Sequence, residues 1–297
     1  MLLKKIKPYM MPLAMLLGGI LYKYVSTISF LTPFLIGVML FITYCSISFH
    51  DIRFSKLHIL LLIIQIVGAS VIYYLLLPIH PIIAQGAMIC VFAPTATSAP
   101  VITSMLGGNT ASLTSYSLLS NITVAILAPI LFSLVGEIDA NSFVQSVIII
   151  SEKVFLLLLL PFIGAIILRR FLPRVHHVIL KSQGLSFYLW TFALVLITGK
   201  IVLFITEQDR SGYLIEIVTA LCALVICISQ FLVGRYLGSK FDDTIAGGQG
   251  LGQKNTILAI WMAQTYLNPV SSIGPGSYVL WQNIVNSYQV WRRRKSL

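Results

Sequence analysis

Lys254 is the residue whose type is least expected for its surroundings. Four glycines precede it within residues 247–252, and the apolar run 257–262 follows it. Because glycine is a poor helix former, the stretch predicts that a hydrophobic helix is broken near Gly250 and Gly252. Irregular backbone is tolerated in a membrane only where it is buried in protein or lines a cavity, and a cation there is typical of a functional site. Lys254 therefore indicates a protein that moves a solute across a membrane.

A second polar interruption lies in the first half of the chain. Residues 93–100 read APTATSAP between apolar segments. Pro94 and Pro100 break helical hydrogen bonding, and a proline also suits the first turn of a restarted helix. We expect Thr97, Ser98 and Pro100 to line the same site as Lys254.

Composition indicates an integral membrane protein. Hydrophobic residues make up 58% of the 297 residues, charged residues only 10%, and the mean hydropathy is +0.93. A soluble domain carries about 25% charged residues. Hydrophobic runs fill the chain from end to end, so we predict a single membrane domain over residues 1–297. The four cysteines lie in apolar segments without metal-ligand spacing, which is typical of buried, unreactive thiols.

Hydrophobic segments near or above the ~20 residues that a bilayer requires occur ten times. They are residues 9–26, 28–47, 57–77, 81–106, 110–135, 143–168, 185–206, 212–236, 241–267 and 270–290. The two interrupted segments are the fourth of the first five and the fourth of the second five. An odd number of spans per half gives the halves opposite orientations, which is the pattern of an inverted-repeat transporter. We predict an all-α membrane protein of ten transmembrane helices in two inverted five-helix repeats, with broken helices 4 and 9 crossing at mid-membrane.

Basic residues are concentrated on one side of these predicted spans. Fifteen of the 20 fall there: Lys4, Lys5, Lys7, Arg53, Lys56, Arg169, Arg170, Arg174, Lys181, Arg235, Lys240, Arg292, Arg293, Arg294 and Lys295. Positive residues mark the cytoplasmic side, so both termini are predicted to be cytoplasmic. The same distribution explains the net charge of +11 without nucleic acid as a partner.

Catalytic chemistry has no candidate residues in the sequence. The chain lacks an H-E-x-x-H motif, paired carboxylates in facing spans and a Ser/His arrangement. We therefore expect no enzymatic activity, no metal site and no cofactor.

Short motifs in the first half resemble helices 4 and 5 of the bile acid:sodium symporter family. That family reads P-G-G-T-x-S-N-x-x-T, then G-N, then L-A-P. The matching segments are residues 94–103 (PTATSAPVIT), 108–109 (GN) and 127–129 (LAP).

Further motifs extend the resemblance over nearly the whole chain. Gly252, Asn255, Leu258 and Ala259 match part of the family's ninth-helix pattern E-x-G-x-Q-N-x-x-L-A. Residues 275–284 (PGSYVLWQNI) are similar to helix 10 of bacterial members, and residues 160–164 (LPFIG) to helix 6.

The resemblance implies a panel of helices 1, 2, 6 and 7 and a core of helices 3, 4, 5, 8, 9 and 10. Substrate is then expected in the cleft between panel and core. The implied activity is sodium-driven uptake of organic anions, from bile acids to small carboxylates. The implied location is the bacterial inner membrane.

Departures from the family pattern fall on its sodium ligands. At the first sodium site the S-N pair is replaced by Ala99-Pro100, the helix-5 hydroxyl positions hold Leu113 and Ser117, and the glutamate position holds Gly250. Hard cations require oxygen ligands, so this site is largely lost.

The second sodium site retains one side chain of the family pattern. Gln65 resembles its helix-3 glutamine, but Lys254 stands at the helix-9 glutamine position. An alignment with one inserted residue places Gln253 and Gln249 at the Gln and Glu positions instead, still without a carboxylate. Gln65 has the alternative of a simple helix–helix contact.

Taken together, these residues predict a secondary transporter of a small organic anion by alternating access, independent of sodium. We expect Lys254 to supply the missing charge and to donate hydrogen bonds to helix carbonyls and to Gln65. The predicted site comprises Lys254, Asn255, Gln253, Gln65, Thr97, Ser98, Pro100 and Ser117, with helix breaks at Pro94, Pro100, Gly250 and Gly252.

Alternative functions remain open on the same scaffold. They are a sodium-coupled symporter with an altered site, and a sensor or channel that does not transport. Because the pKa of a lysine shifts readily when water is removed, proton coupling also stands beside facilitated diffusion and exchange.

Overall fold

The computed structural model describes residues 10–47, 52–96, 98–136, 142–182, 184–207 and 213–295. Within these ranges every named element of secondary structure is a helix, as an all-α membrane protein requires. The chain forms two compact units. Unit 1 comprises Met1–Ile47 and Glu152–Ser211, and unit 2 comprises Ser48–Ser151 and Gly212–Leu297. The assignment of residues 1–297 to a single membrane domain stays a prediction.

Unit 1 is built on the long helix Gly184–Glu207, against which its N-terminal helices pack. Its described helices are α1 (Met10–Ile20), α2 (Tyr22–Thr27), α3 (Thr32–Cys45), the end of α8 (Phe143–Val154), a π-helical turn (Phe155–Leu159), α9 (Leu160–Phe171), α10 (Pro173–Lys181) and α11 (Gly184–Glu207). Helix α3 also packs on α9, where Tyr44 and Phe162 meet edge to face at 5.3 Å.

Unit 2 is built around the long helix Leu214–Ser239, which packs on the helices Pro81–Phe92, Thr244–Gly252 and Ile273–Lys295. Its described helices are α4 (Lys56–Leu76), α5 (Pro81–Phe92), α6 (Ala99–Met105), α7 (Thr110–Val135), the start of α8, α12 (Leu214–Ser239), α13 (Thr244–Gly252), α14 (Thr256–Tyr266) and α15 (Ile273–Lys295). Asn109 and Asn255 cap α7 and α14 by accepting hydrogen bonds from backbone N–H groups three residues on.

Glycines allow α12 and α13 to approach backbone to backbone. A Cβ atom on Gly247 would lie 2.4 Å from the carbonyl oxygen of Gly234 and 2.9 Å from the Cα of Gly238. Gly250 and Gly252 lie in the last turn of α13, which ends at Gly252, so the break follows directly after the glycines, at residues 253–255. Close helix contact, which only small residues permit, outweighs the low helix propensity of glycine.

Within the described ranges, five helical segments are long and apolar enough to cross a membrane. They are Lys56–Leu76, Thr110–Val135, Phe143–Phe171, Gly184–Glu207 and Leu214–Ser239, with shorter apolar helices at Ser29–Cys45 and Pro81–Phe92. The two interrupted segments each form two shorter helices, and a turn at Leu21 divides the first predicted span. Ten spans in two inverted repeats therefore stay a prediction.

Candidate functional site

The two polar interruptions of unit 2 pair with each other. Thr95 and Lys254 form an antiparallel bridge. The N–H of Ala96 donates to the carbonyl of Gln253 at 2.9 Å, and the N–H of Asn255 donates to the carbonyl of Pro94 at 2.8 Å. The connections between α5 and α6 and between α13 and α14 thus satisfy part of each other's backbone, as buried irregular backbone requires.

Lys254 lies at the centre of this pairing. The residue is only 1% exposed, and its Nζ donates to the carbonyl oxygen of Val91 at 2.8 Å. Its backbone N–H donates to Oε1 of Gln282 on α15 at 2.9 Å. Both the main chain and the side chain of Lys254 are therefore held inside the protein, with the amine at the C-terminal end of α5.

The amine belongs to a set of side chains that cap the C-terminal end of α5. The last carbonyls of a helix have no partner within it and carry partial negative charge. Here the carbonyl of Cys90 accepts from Gln230 Nε2 at 3.1 Å, and that of Val91 accepts from Lys254. Gln65 Nε2 donates to the carbonyls of Phe92 and Ala93, at 2.7 and 3.2 Å.

Carbonyls at the end of α13 are also occupied by protein donors. The hydroxyl of Thr95 donates to the carbonyl of Gly250 at 2.9 Å, and the hydroxyl of Tyr278 donates to that of Gly252 at 2.8 Å. Oxygen atoms of the kind that coordinate a hard cation are thus already engaged by protein groups.

Gln65 does not accept from Lys254, which corrects that part of the sequence prediction. Its Oε1 accepts from Tyr116 OH at 2.9 Å and from Ser120 Oγ at 2.8 Å. These residues lie one turn apart on α7 and face Gln65 together. The α7 side chains saturate the oxygen, which leaves the lysine amine to bind the helix end.

Gly250, which the ungapped alignment places at the glutamate position, leaves no room for a side chain. A Cβ there would lie 2.8 Å from Cδ1 of Tyr116, and a Cβ on Gly252 would lie 2.3 Å from the ring of Phe231. The Tyr116 ring thus occupies the space into which a residue 250 side chain would extend.

Other predicted site residues lie near the paired segments with fewer contacts. Gln253 Nε2 donates to Ser98 Oγ at 3.0 Å, while its Oε1 is buried with no partner among the described residues. Pro100 is in the first turn of α6 and Pro94 is in the connection before it. Among the described residues the side chain of Ser117 makes no hydrogen bond to this group, although its carbonyl accepts from Asn121. Thr97 lies outside the described residues.

The described acidic side chains of unit 2 lie outside the paired segments. The described carboxylates of the unit are Glu216, in the first turn of α12, and Asp242 and Asp243, between α12 and α13. Across the described ranges, no group of three or more His, Cys, Asp or Glu side chains is placed to hold a metal ion. The arrangement provides a buried amine, amides and hydroxyls, which suit binding and positioning.

Some residues of the site were missed by sequence reasoning. They are Tyr116, Ser120, Gln230, Tyr278 and Gln282. Tyr116 and Ser120 carried a usable signal, because their spacing of four puts two polar groups on one face of an apolar helix.

The SBF-like CPA transporter family has a sequence model that matches residues 49–282. No protein of curated function matches the chain. The match covers most of the chain and includes both connections of the site. The chain belongs to the SBF-like CPA transporter family, which is related to the bile acid:sodium symporters.

Proposed function

We propose that this membrane transporter carries a small organic anion by alternating access without sodium, with Lys254 in place of the ion. Membership of the family supports transport. The residues around Lys254 support independence of sodium and an anionic substrate. The observation that carries the proposal is the hydrogen bond from Lys254 Nζ to the Val91 carbonyl at the end of α5.

Independence of sodium is supported by the donors that engage the backbone oxygens. From Cys90 to Thr95, each carbonyl accepts a hydrogen bond from a side chain or from the paired segment. A sodium ion would have to displace these donors and would find no carboxylate among the described residues of α13 and α14. A lysine supplies one positive charge covalently at the same helix end.

An anionic substrate is supported by the charge balance of the site. Among the described lysines and arginines, Lys254 is the fully buried one, and the described carboxylates of unit 2 lie at or beyond helix ends. A buried cation without a neighbouring carboxylate favours a negatively charged ligand close by. A small carboxylate is the class that we propose.

Uptake into proteoliposomes tests this function. We expect saturable uptake of a small carboxylate that is equal in sodium, potassium and choline buffers. Lys254→Gln and Lys254→Met should each lower uptake by roughly tenfold or more, since a hydrogen bond to a charged group contributes about 1.5–3 kcal/mol. Lys295→Gln, at an exposed lysine of α15, is the matched control and should transport normally.

Different outcomes of this assay separate the alternatives. A sodium requirement in the unmodified protein would support a sodium-coupled symporter with an altered site. Unsaturable flux, or none with any carboxylate, would support a channel or sensor. Thermal unfolding of each variant distinguishes loss of transport from loss of fold. A bacterial inner-membrane location with both termini cytoplasmic is part of the proposal.

A further inference from the structure

Helix α10 of unit 1 is too short to cross a membrane. Its nine residues, Pro173–Lys181, extend about 14 Å, against roughly 30 Å for the hydrocarbon core. It follows α9 after a break at Leu172, and none of its residues is buried. The transport site in unit 2 gives α10 no role.

Two hydrogen bonds, one from α10 and one from the end of α9, hold this part of the chain at the C-terminal end of α3. His176 Nε2 donates to the carbonyl of Cys45 at 3.0 Å, and Arg169 Nη1 donates to the carbonyl of Ile47 at 3.1 Å. Donors from basic residues are favourable at a helix C-terminus. One face of α10, carrying His176, Ile179 and Leu180, is accordingly half-buried against the protein.

The remaining surface of α10 is divided between apolar and basic residues. Val175 and Val178 are 46% and 64% exposed, and Phe171 at the end of α9 is 74% exposed. Arg174 and Lys181 are also exposed, and their spacing of seven residues puts them on a common face. Helices with an apolar face and a basic face lie in the plane of the membrane interface.

Charge in this region has one sign. No Asp or Glu occurs between Glu152 and Glu207, while Arg169, Arg170, Arg174 and Lys181 fall within this stretch. Anionic membrane surfaces attract such basic residues. The chemistry that complements α10 is therefore a phosphate-bearing, negatively charged lipid headgroup with acyl chains beside it.

We propose that α10 is an interfacial helix that binds anionic phospholipid, with Val175 and Val178 among the acyl chains and Arg174 and Lys181 at the headgroup phosphates. This binding site is independent of the substrate and of the ion used for transport. It anchors the end of unit 1 where α3, α9 and α10 meet.

Lipid-dependent stabilisation tests the basic face. The full-length protein in detergent is melted with added dioleoylphosphatidylglycerol, dioleoylphosphatidylcholine or inorganic phosphate. We expect phosphatidylglycerol to raise the melting temperature more than phosphatidylcholine, and phosphate alone to have no effect. Replacing both Arg174 and Lys181 by Gln should remove at least half of the difference between the two lipids. Replacing Lys23 and Lys200 by Gln, which removes the same charge elsewhere in unit 1, should leave it intact.

Spin labels test the apolar face in phosphatidylglycerol liposomes. We expect a label on Val178→Cys to be relaxed by oxygen dissolved in the bilayer, and a label on His177→Cys to be relaxed by an aqueous nickel chelate. The unsubstituted protein, labelled in parallel, gives the background from the native cysteines. Equal relaxation of both labels by the aqueous reagent, equal stabilisation by the two lipids, or an unchanged lipid difference in the Arg174/Lys181 variant would each overturn the proposal.

Discussion

At the scale of the residue, Lys254 occupies the end of a helix where positive charge is favourable. Its Nζ donates to the Val91 carbonyl, and the residue is almost fully buried. A lysine that snorkels would instead extend its amine to the interface. Gly250 complements this arrangement, because its missing side chain leaves space for the ring of Tyr116, whose hydroxyl holds Gln65.

Substitution of Gly250 by alanine tests this packing. The added Cβ would lie 2.8 Å from Tyr116 Cδ1, so the ring or α13 must move. We expect destabilisation of about 1–3 kcal/mol, the usual cost of overpacking, measured by thermal or denaturant unfolding in detergent. Gly37→Ala is the control, since no atom lies within 4 Å of that Cβ. A Gly250→Ala variant as stable as Gly37→Ala would contradict the close contact.

At the scale of the element, the connections of the site depend on the helices that surround them. Gln230 on α12 donates to the Cys90 carbonyl at the end of α5, and Tyr278 on α15 donates to the Gly252 carbonyl at the end of α13. Gln282, also on α15, accepts from the backbone N–H of Lys254. Helix α13 reaches its position because Gly234 and Gly247 allow it to contact α12 through the backbone. The geometry around Lys254 therefore rests on helix packing some distance from the amine.

Substitution of Gly247 by alanine should separate α12 from α13. Its Cβ would meet the carbonyl oxygen of Gly234 at 2.4 Å, and backbone atoms cannot rotate away as a side chain can. We expect a loss of roughly 2 kcal/mol or more, visible as a lower melting temperature, and a larger loss for Gly247→Val. Gly184→Ala, where nothing lies within 4 Å, should be close to neutral. Equal stability of the two alanine variants would show that the helices pack less closely.

At the scale of the whole molecule, basic residues of unit 2 gather where several helix ends meet. Arg293 near the end of α15 packs on Gly107, between α6 and α7, and the N–H of Arg53 donates to Ser115 near the start of α7. Arg235 packs on Gly248 of α13. By the positive-inside rule, we expect this end of the unit to be cytoplasmic.

The expected outcome is that the C-terminal end of the chain is cytoplasmic. Fusion of alkaline phosphatase, active outside, or green fluorescent protein, active inside, to the C-terminus measures this. We expect fluorescence without phosphatase activity, and a fusion after residue 208 to give the reverse. Phosphatase activity at the C-terminus would exclude the ten-span topology.

Properties carried by composition and local sequence could be predicted without the structure. The apolar, charge-poor composition determined the class of protein, and motifs in a fixed order determined the family. Asn255 is of a residue type that favours a helix N-cap, and it caps α14 through its own side chain. Each of these depends on neighbouring residues or on sums over the chain, which sequence alone specifies.

Tertiary structure decided the partners of the site residues and the course of the glycine-rich helix. Lys254 and Val91 are 163 residues apart, and Gln65 meets Tyr116 from a different helix. Such contacts follow from how helices pack, and no periodicity in the sequence encodes them. The same reason accounts for Gly250 and Gly252, whose weak helix propensity was outweighed by the fit of α13 against α12 and Tyr116.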